Sequence, residues 1–171
     1  MENDGSIEQR TPSIPAVRWS VRTPTRPGFQ RHHILPAGLL RRRQFRRFFA
    51  WLSLYGFAIN RFSSNGILLP ASGIDARRTR RALHRGPHPG YSDIVASRVE
   101  TIRVTAMARR DRPAGHAARD AIGRLTILQA ALRRTLDGSL PRSIWLNRRD
   151  PMRLYADTQA LDRQIYALFP D

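Results

Sequence analysis

RHHILP, residues 31–36, sets two of the chain's five histidines side by side and closes on a proline. Ile34 and Leu35 suit a short strand that Pro36 ends. Successive side chains of a strand point to opposite faces, so His32 and His33 are poorly placed to ligate one ion together. A division of labour follows, in which one imidazole holds a metal and the other activates water beside it.

Working outward, the apolar residues Leu40, Phe45, Phe48, Phe49, Leu52 and Tyr55 recur at three- and four-residue spacing, which predicts one helix starting at Leu39 and capped at Gly56. Its opposite face carries Arg41, Arg42, Arg43, Arg46 and Arg47, either a solvated face or a ridge that tracks phosphates. Phe57 to Ile59 reads as a short strand, Ser63-Ser64-Asn65-Gly66 as turn material, and Ile67 to Leu69 as a buried strand stopped by Pro70. A linker with Arg77, Arg78, Arg80 and Arg81 leads into HRGPHPGYSDIV at 84–95. Pro89 fits a first helical position, and Tyr91, Ile94, Val95, Val99 and Ile102 then share one face of a helix running to about Ala106. Ala118, Ile122, Leu125, Leu128 and Leu132 mark another helix, ended by Asp137-Gly138, and Leu154, Leu161, Ile165 and Leu168 mark a last one. The expected class is α+β. Residues 1–28, with Pro12, Pro15, Pro24 and Pro27, read as a flexible arm, and 29–171 as a single domain.

The 171 residues carry a formal charge of +17, which directs the search for a partner to polyanions, nucleic acid first. All 30 basic residues are arginine, suited to bidentate phosphate contacts. Without lysine there is no side-chain Schiff base, and without cysteine no disulfide, thiol nucleophile or thiolate-bound zinc. Glu2 and Asp4 have the wrong sign for a secretion signal, and the apolar stretch 48–59 is about half the roughly 20 residues of a membrane span. A cytoplasmic setting, with no membrane partner, is the default expectation.

The second histidine pair, His84 and His88, lies where the Arg-rich linker enters a helix. Packing that helix against the first strand would bring four imidazoles together, and three neutral imidazoles on a divalent ion leave positions open for water or phosphate. Two functions compete: a metal-dependent nuclease, and a non-catalytic nucleic-acid-binding module whose histidines close a structural metal site. His116 reads as structural or surface, and Asp93 and Glu100 as facing solvent or pairing with arginine, with a carboxylate supporting a ligand histidine open to Asp93.

HHILP at 32–36, GFAINRFSSNGILLP at 56–70 and HRGPHPGYSDIVASRVE at 84–100 occur in an order that resembles the AHH branch of the HNH, or His-Me finger, nucleases. The likeness covers about 32–106, and LNRRDP at 146–151 in the helical extension 107–171 is also similar. It implies a β-hairpin and helix clasping one divalent cation (Mg, Mn or Zn) and hydrolysis of phosphodiesters, DNA more than RNA. By the same likeness His33 is the general base, Asn65 orients it, and His32, His84 and His88 are metal ligands. Arg31 stands where the family usually has alanine. With Arg85 and the arginines at 41–43, 46, 47, 77, 78, 80 and 81, it completes the expected nucleic-acid surface. The resemblance extends to toxin domains of bacterial conflict systems, which carries the expectation of an acidic, immunity-type partner.

Overall fold

A computed structural model of the chain describes residues 26–110, 115–139 and 146. Most of the expected arm, the helix expected at 154–168 and all of LNRRDP but Leu146 lie outside the described residues. The class is α+β: a two-stranded antiparallel sheet, β1 (Phe29–His33) and β2 (Gly66–Pro70), with helices α1 (Arg43–Ser53), α2 (Phe62–Asn65), α3 (Gly73–Thr79), α4 (Pro89–Ala108) and α5 (His116–Leu136). The register runs from Phe29 opposite Pro70 to His33 opposite Gly66. Ala71 N–H to the Gly28 carbonyl (2.9 Å) and Ile34 N–H to the Asn65 carbonyl (2.9 Å) extend the pairing at both ends.

The strands are joined by residues 34–65, which carry α1, rather than by a tight turn. Ile34 and Leu35 therefore follow β1 instead of forming it, and both are fully buried. The core is built on them, with Phe45, Phe48, Phe49 and Leu52 of α1, Val95, Val99 and Ile102 of α4, and Leu125, Leu128 and Leu132 of α5. These are the i, i+3, i+4 positions of each helix, so the same stripe that forms the helix also docks it. None of the described helices is long and apolar enough to cross a membrane.

Local expectations are corrected in four further places. The helix expected from Leu39 is two pieces, a 3-10 turn over Ala37–Arg41 and α1, separated by Arg42 in extended conformation (φ −85°, ψ 125°). Arg41, Arg42 and Arg43 offer no apolar side chain across that junction, so packing does not hold the two as one helix. Phe57 to Ile59 is not a strand, because the Ile59 carbonyl accepts the Asn65 side chain (2.7 Å) instead of entering a ladder, while the Phe57 ring stacks on Phe49 at 6.0 Å. Asn65-Gly66 is not a hairpin turn, since Asn65 ends α2 and Gly66 (φ −117°, ψ 152°) opens β2. A Cβ at Gly66 would lie 2.2 Å from the Phe62 ring, so only glycine fits that junction. Finally, the Arg-rich linker contains α3, whose N-cap Ser72 accepts from Asp75 N–H (3.1 Å) and donates its hydroxyl to the Asp75 carboxylate (2.8 Å).

Candidate functional site

β1 presents His32 to the interior and His33 to the opposite side. His32 is 2 % exposed and His33 half-buried. The second pair reaches His32 through two anchors. His84 N–H donates to the Pro70 carbonyl at the end of β2 (2.8 Å), setting His84 beside β1. Tyr91, in the first turn of α4, donates its hydroxyl to the Ile34 carbonyl (2.6 Å), which pins the helix start to the end of β1. His88, the residue before Pro89, is the N-cap of α4 and follows that anchor into place.

His32, His84 and His88 each offer a ligand atom within 4.8 Å of the others. Their rings stand edge to face or tilted, His32 being 5.0 Å from His84 and 4.9 Å from His88 between centroids. His84 Nδ1 bonds to the Gln30 side-chain oxygen (2.9 Å), which makes Nδ1 the protonated nitrogen and leaves Nε2 a lone pair. That Nε2 lies 3.3 Å from His88 Nε2. The nitrogens His32 Nε2 and His88 Nδ1 are buried with no hydrogen-bond partner. Burial, then the neighbouring histidines His84, His88 and His33, pushes His32 down to about 2. Burial, then His88, takes His84 to about 4, and burial also lowers His88. Three neutral imidazoles with close-set nitrogens and orphaned buried atoms fit a divalent cation of the borderline class. Among the described residues no further His, Asp or Glu joins this group.

His33 stands outside the group. Its ring packs at 6.0 Å from Phe62, and a hydrogen bond to the Asn60 backbone opposes the burial that lowers its pKa. Burial is the larger effect, so His33 is neutral at pH 7 with capacity to accept a proton. Arg31, two residues earlier on the same strand face, has its guanidinium 5.9 Å from the same Phe62 ring.

Asn65 is fully buried and does not bond to the His33 ring. Its Oδ1 accepts from Leu35 N–H (2.8 Å) and from the Gln129 amide (3.0 Å), and its Nδ2 donates to the Leu35 carbonyl (2.9 Å) and the Ile59 carbonyl (2.7 Å). It thereby fastens the chain leaving His33 to the loop that carries Asn60. Asn65→Ala is expected to cost about 3–5 kcal/mol in a denaturant melt, since it orphans several buried polar groups at once. A loss under about 1 kcal/mol would deny the residue this bracing role.

The expected arginine surface is divided. Arg41, Arg43, Arg46, Arg47, Arg77, Arg80 and Arg85 are exposed. Arg42 pairs with Asp93 (3.3 Å), Arg78 with Asp75 (2.7 Å), and Arg81 donates to the Leu68 carbonyl (3.3 Å). Asp93 therefore meets arginine rather than a ligand histidine, Glu100 pairs with Arg103 (2.7 Å), and His116 is exposed at the start of α5. No role is expected from the sequence for Gln30, Asn60 or Gln129, and Tyr91 is expected only on the apolar face of α4. Only Gln30 carries a usable signal, because the two-residue period of a strand puts it on the same face as His32.

A family model described as AHH, a nuclease family of the HNH/ENDO VII superfamily with conserved AHH, matches residues 15–126, a span containing both strands, α4 and all four of these histidines. The adjacent histidines in that span are His32 and His33, and the residue before them is Arg31. No curated protein and no solved structure matches the chain.

Proposed function

The chain belongs to the AHH nucleases of the HNH/ENDO VII superfamily, and from that membership we propose a metal-dependent endonuclease with a His-Me finger centre that cuts DNA in preference to RNA. The observation that carries this reading is the meeting of His32, His84 and His88 at one point, with His33 turned away from them on the same strand.

In this reading His32, His84 and His88 hold one divalent ion, Mg, Mn or Zn, which when bound supplies Lewis-acid stabilisation of charge on the phosphate and leaving oxygen. His33, neutral at pH 7, removes a proton from the attacking water. The Asn60 backbone holds the His33 ring, and Asn65 holds the loop that contains Asn60. Arg31, on the His33 face of β1, meets a phosphate next to the cut. The exposed arginines of α1 and α3 position the backbone without reading base sequence.

Three histidines with no further ligand among the described residues favour an open site over the closed four-ligand set of a structural metal. A role as a toxin or effector, with an acidic neutralising partner, accords with the charge of +17. A plasmid-nicking assay tests the enzyme. Cleavage is expected with Mg, Mn or Zn and lost in chelator, and binding is expected to weaken steeply as salt rises. Undiminished cutting after exhaustive chelation, or a protein that binds DNA yet cuts with none of the three ions, overturns the proposal.

A further inference from the structure

A cleft of about 690 Å³ opens between the loop that follows α1, the short helix α2 and the middle of α5. Its lining residues include Tyr55, Phe57, Arg61, Arg133 and Arg134, and no acidic residue lines it. These arginines belong neither to the α1 ridge nor to the α3 cluster. Tyr55 is 40 % exposed although it continues the apolar spacing of α1, and its ring meets Trp51 edge to face at 6.1 Å. On α5, Leu128, Leu132 and Leu136 turn inward, which leaves Gln129, Arg133 and Arg134 to face the cleft.

We propose that this cleft is a nucleotide subsite, taking one unpaired base against Tyr55 and its flanking phosphates on Arg61, Arg133 and Arg134; the assignment rests on the nuclease reading above. The volume lies within the roughly 300–1,000 Å³ of pockets that enclose a small ligand. A partly exposed aromatic ring combined with cations and no opposing carboxylate suits a single-stranded nucleic acid, whereas a duplex hides its base faces. The cleft is also continuous with the proposed catalytic loop. Residues 60–65 bear the Asn60 backbone group that bonds to His33 at one end and Asn65 at the other, and Arg61 and Ser64 between them line the cleft. Gln129 lines it too and bonds to Asn65 (3.0 Å), and Arg133 donates to the Ser64 carbonyl (3.3 Å). An unpaired nucleotide seated here lies beside the segment that positions the base.

The test is fluorescence anisotropy with the full chain in chelator, using a labelled 12-nucleotide single strand and a blunt duplex of the same sequence. Tyr55→Ala is expected to weaken single-strand binding by roughly 5- to 150-fold, the range of one lost base stack. Arg61→Glu and Arg134→Glu, on exposed side chains that leave the Arg133–Ser64 bond in place, are expected to weaken it at least tenfold. Duplex binding is expected to change by less than threefold in all three variants. Wild-type affinity for the single strand in all three, or equal losses on both probes, overturns the subsite. Unchanged oligonucleotide binding with lost binding to polyglutamate overturns it in favour of an acidic polypeptide. A wild-type protein that neither binds nor cuts nucleic acid defeats the nuclease reading, whereas normal cutting with unaltered variant binding defeats the subsite alone.

Discussion

His33→Ala is expected to lower the rate of phosphodiester cleavage by about 100- to 10,000-fold, the usual contribution of a positioned general base. The ring is half-buried, stands edge-on to Phe62 and bonds to the Asn60 backbone, and the variant is expected to keep the wild-type fold by circular dichroism. The cation-binding group does not include it, and metal affinity is expected to stay within a few-fold of the wild type. Added imidazole should restore part of the lost rate, because a small base can occupy the space vacated by the side chain. That rescue separates a missing proton acceptor from a disturbed fold, which no soluble base repairs. Cutting by the purified variant at the wild-type rate would remove His33 from the mechanism.

The legibility of this chain follows the range of the interactions involved. Strand alternation at His32-His33 and the helical stripe from Tyr91 to Ile102 are local patterns, and the structure reproduces both. The convergence of His84 and His88 on His32 is half-local. The sequence shows two pairs beside proline-bounded elements, but the contacts that join them, His84 to Pro70 and Tyr91 to Ile34, span strands and helix and leave no spacing rule behind. Asn65-Gly66 misleads for the opposite reason. Its local preference is a tight turn, and the buried bonds of Asn65 to Leu35, Ile59 and Gln129 outweigh that preference with partners drawn from three separate parts of the chain. At Arg42 the apolar period continues on both sides of the junction, so periodicity alone cannot register the extended residue that divides the two pieces. The signal for α3 lies in the Ser72–Asp75 cap, which a reading guided by charge passes over.

His32→Phe is the sharpest test of the cation site, because phenylalanine keeps a ring against Tyr91, His84 and His88 while removing both nitrogens. In wild-type protein a bound cation stabilises the fold by about 2.7 kcal/mol at a hundred times its dissociation constant. The variant is expected to lose that response and its cleavage activity together. The same substitution has a signature that needs no metal. In chelated wild-type protein His32 is held at about 2 against an ordinary value of 6.5, so on acidification the unfolded chain takes up a proton that the folded one refuses. Stability is therefore complete above pH 6.5 and falls as the pH drops below it. The fall is about 1.4 kcal/mol per pH unit for this group, or about 2–3 kcal/mol by pH 4.5. Denaturant melts at pH 7 and pH 4.5 should show that loss in the wild type and a loss smaller by about that amount in His32→Phe, with His84 and His88 accounting for what remains. Equal acid sensitivity in the two proteins would mean that His32 is not the buried neutral imidazole around which the site is built. A cation response preserved in the variant would mean that the ion binds elsewhere.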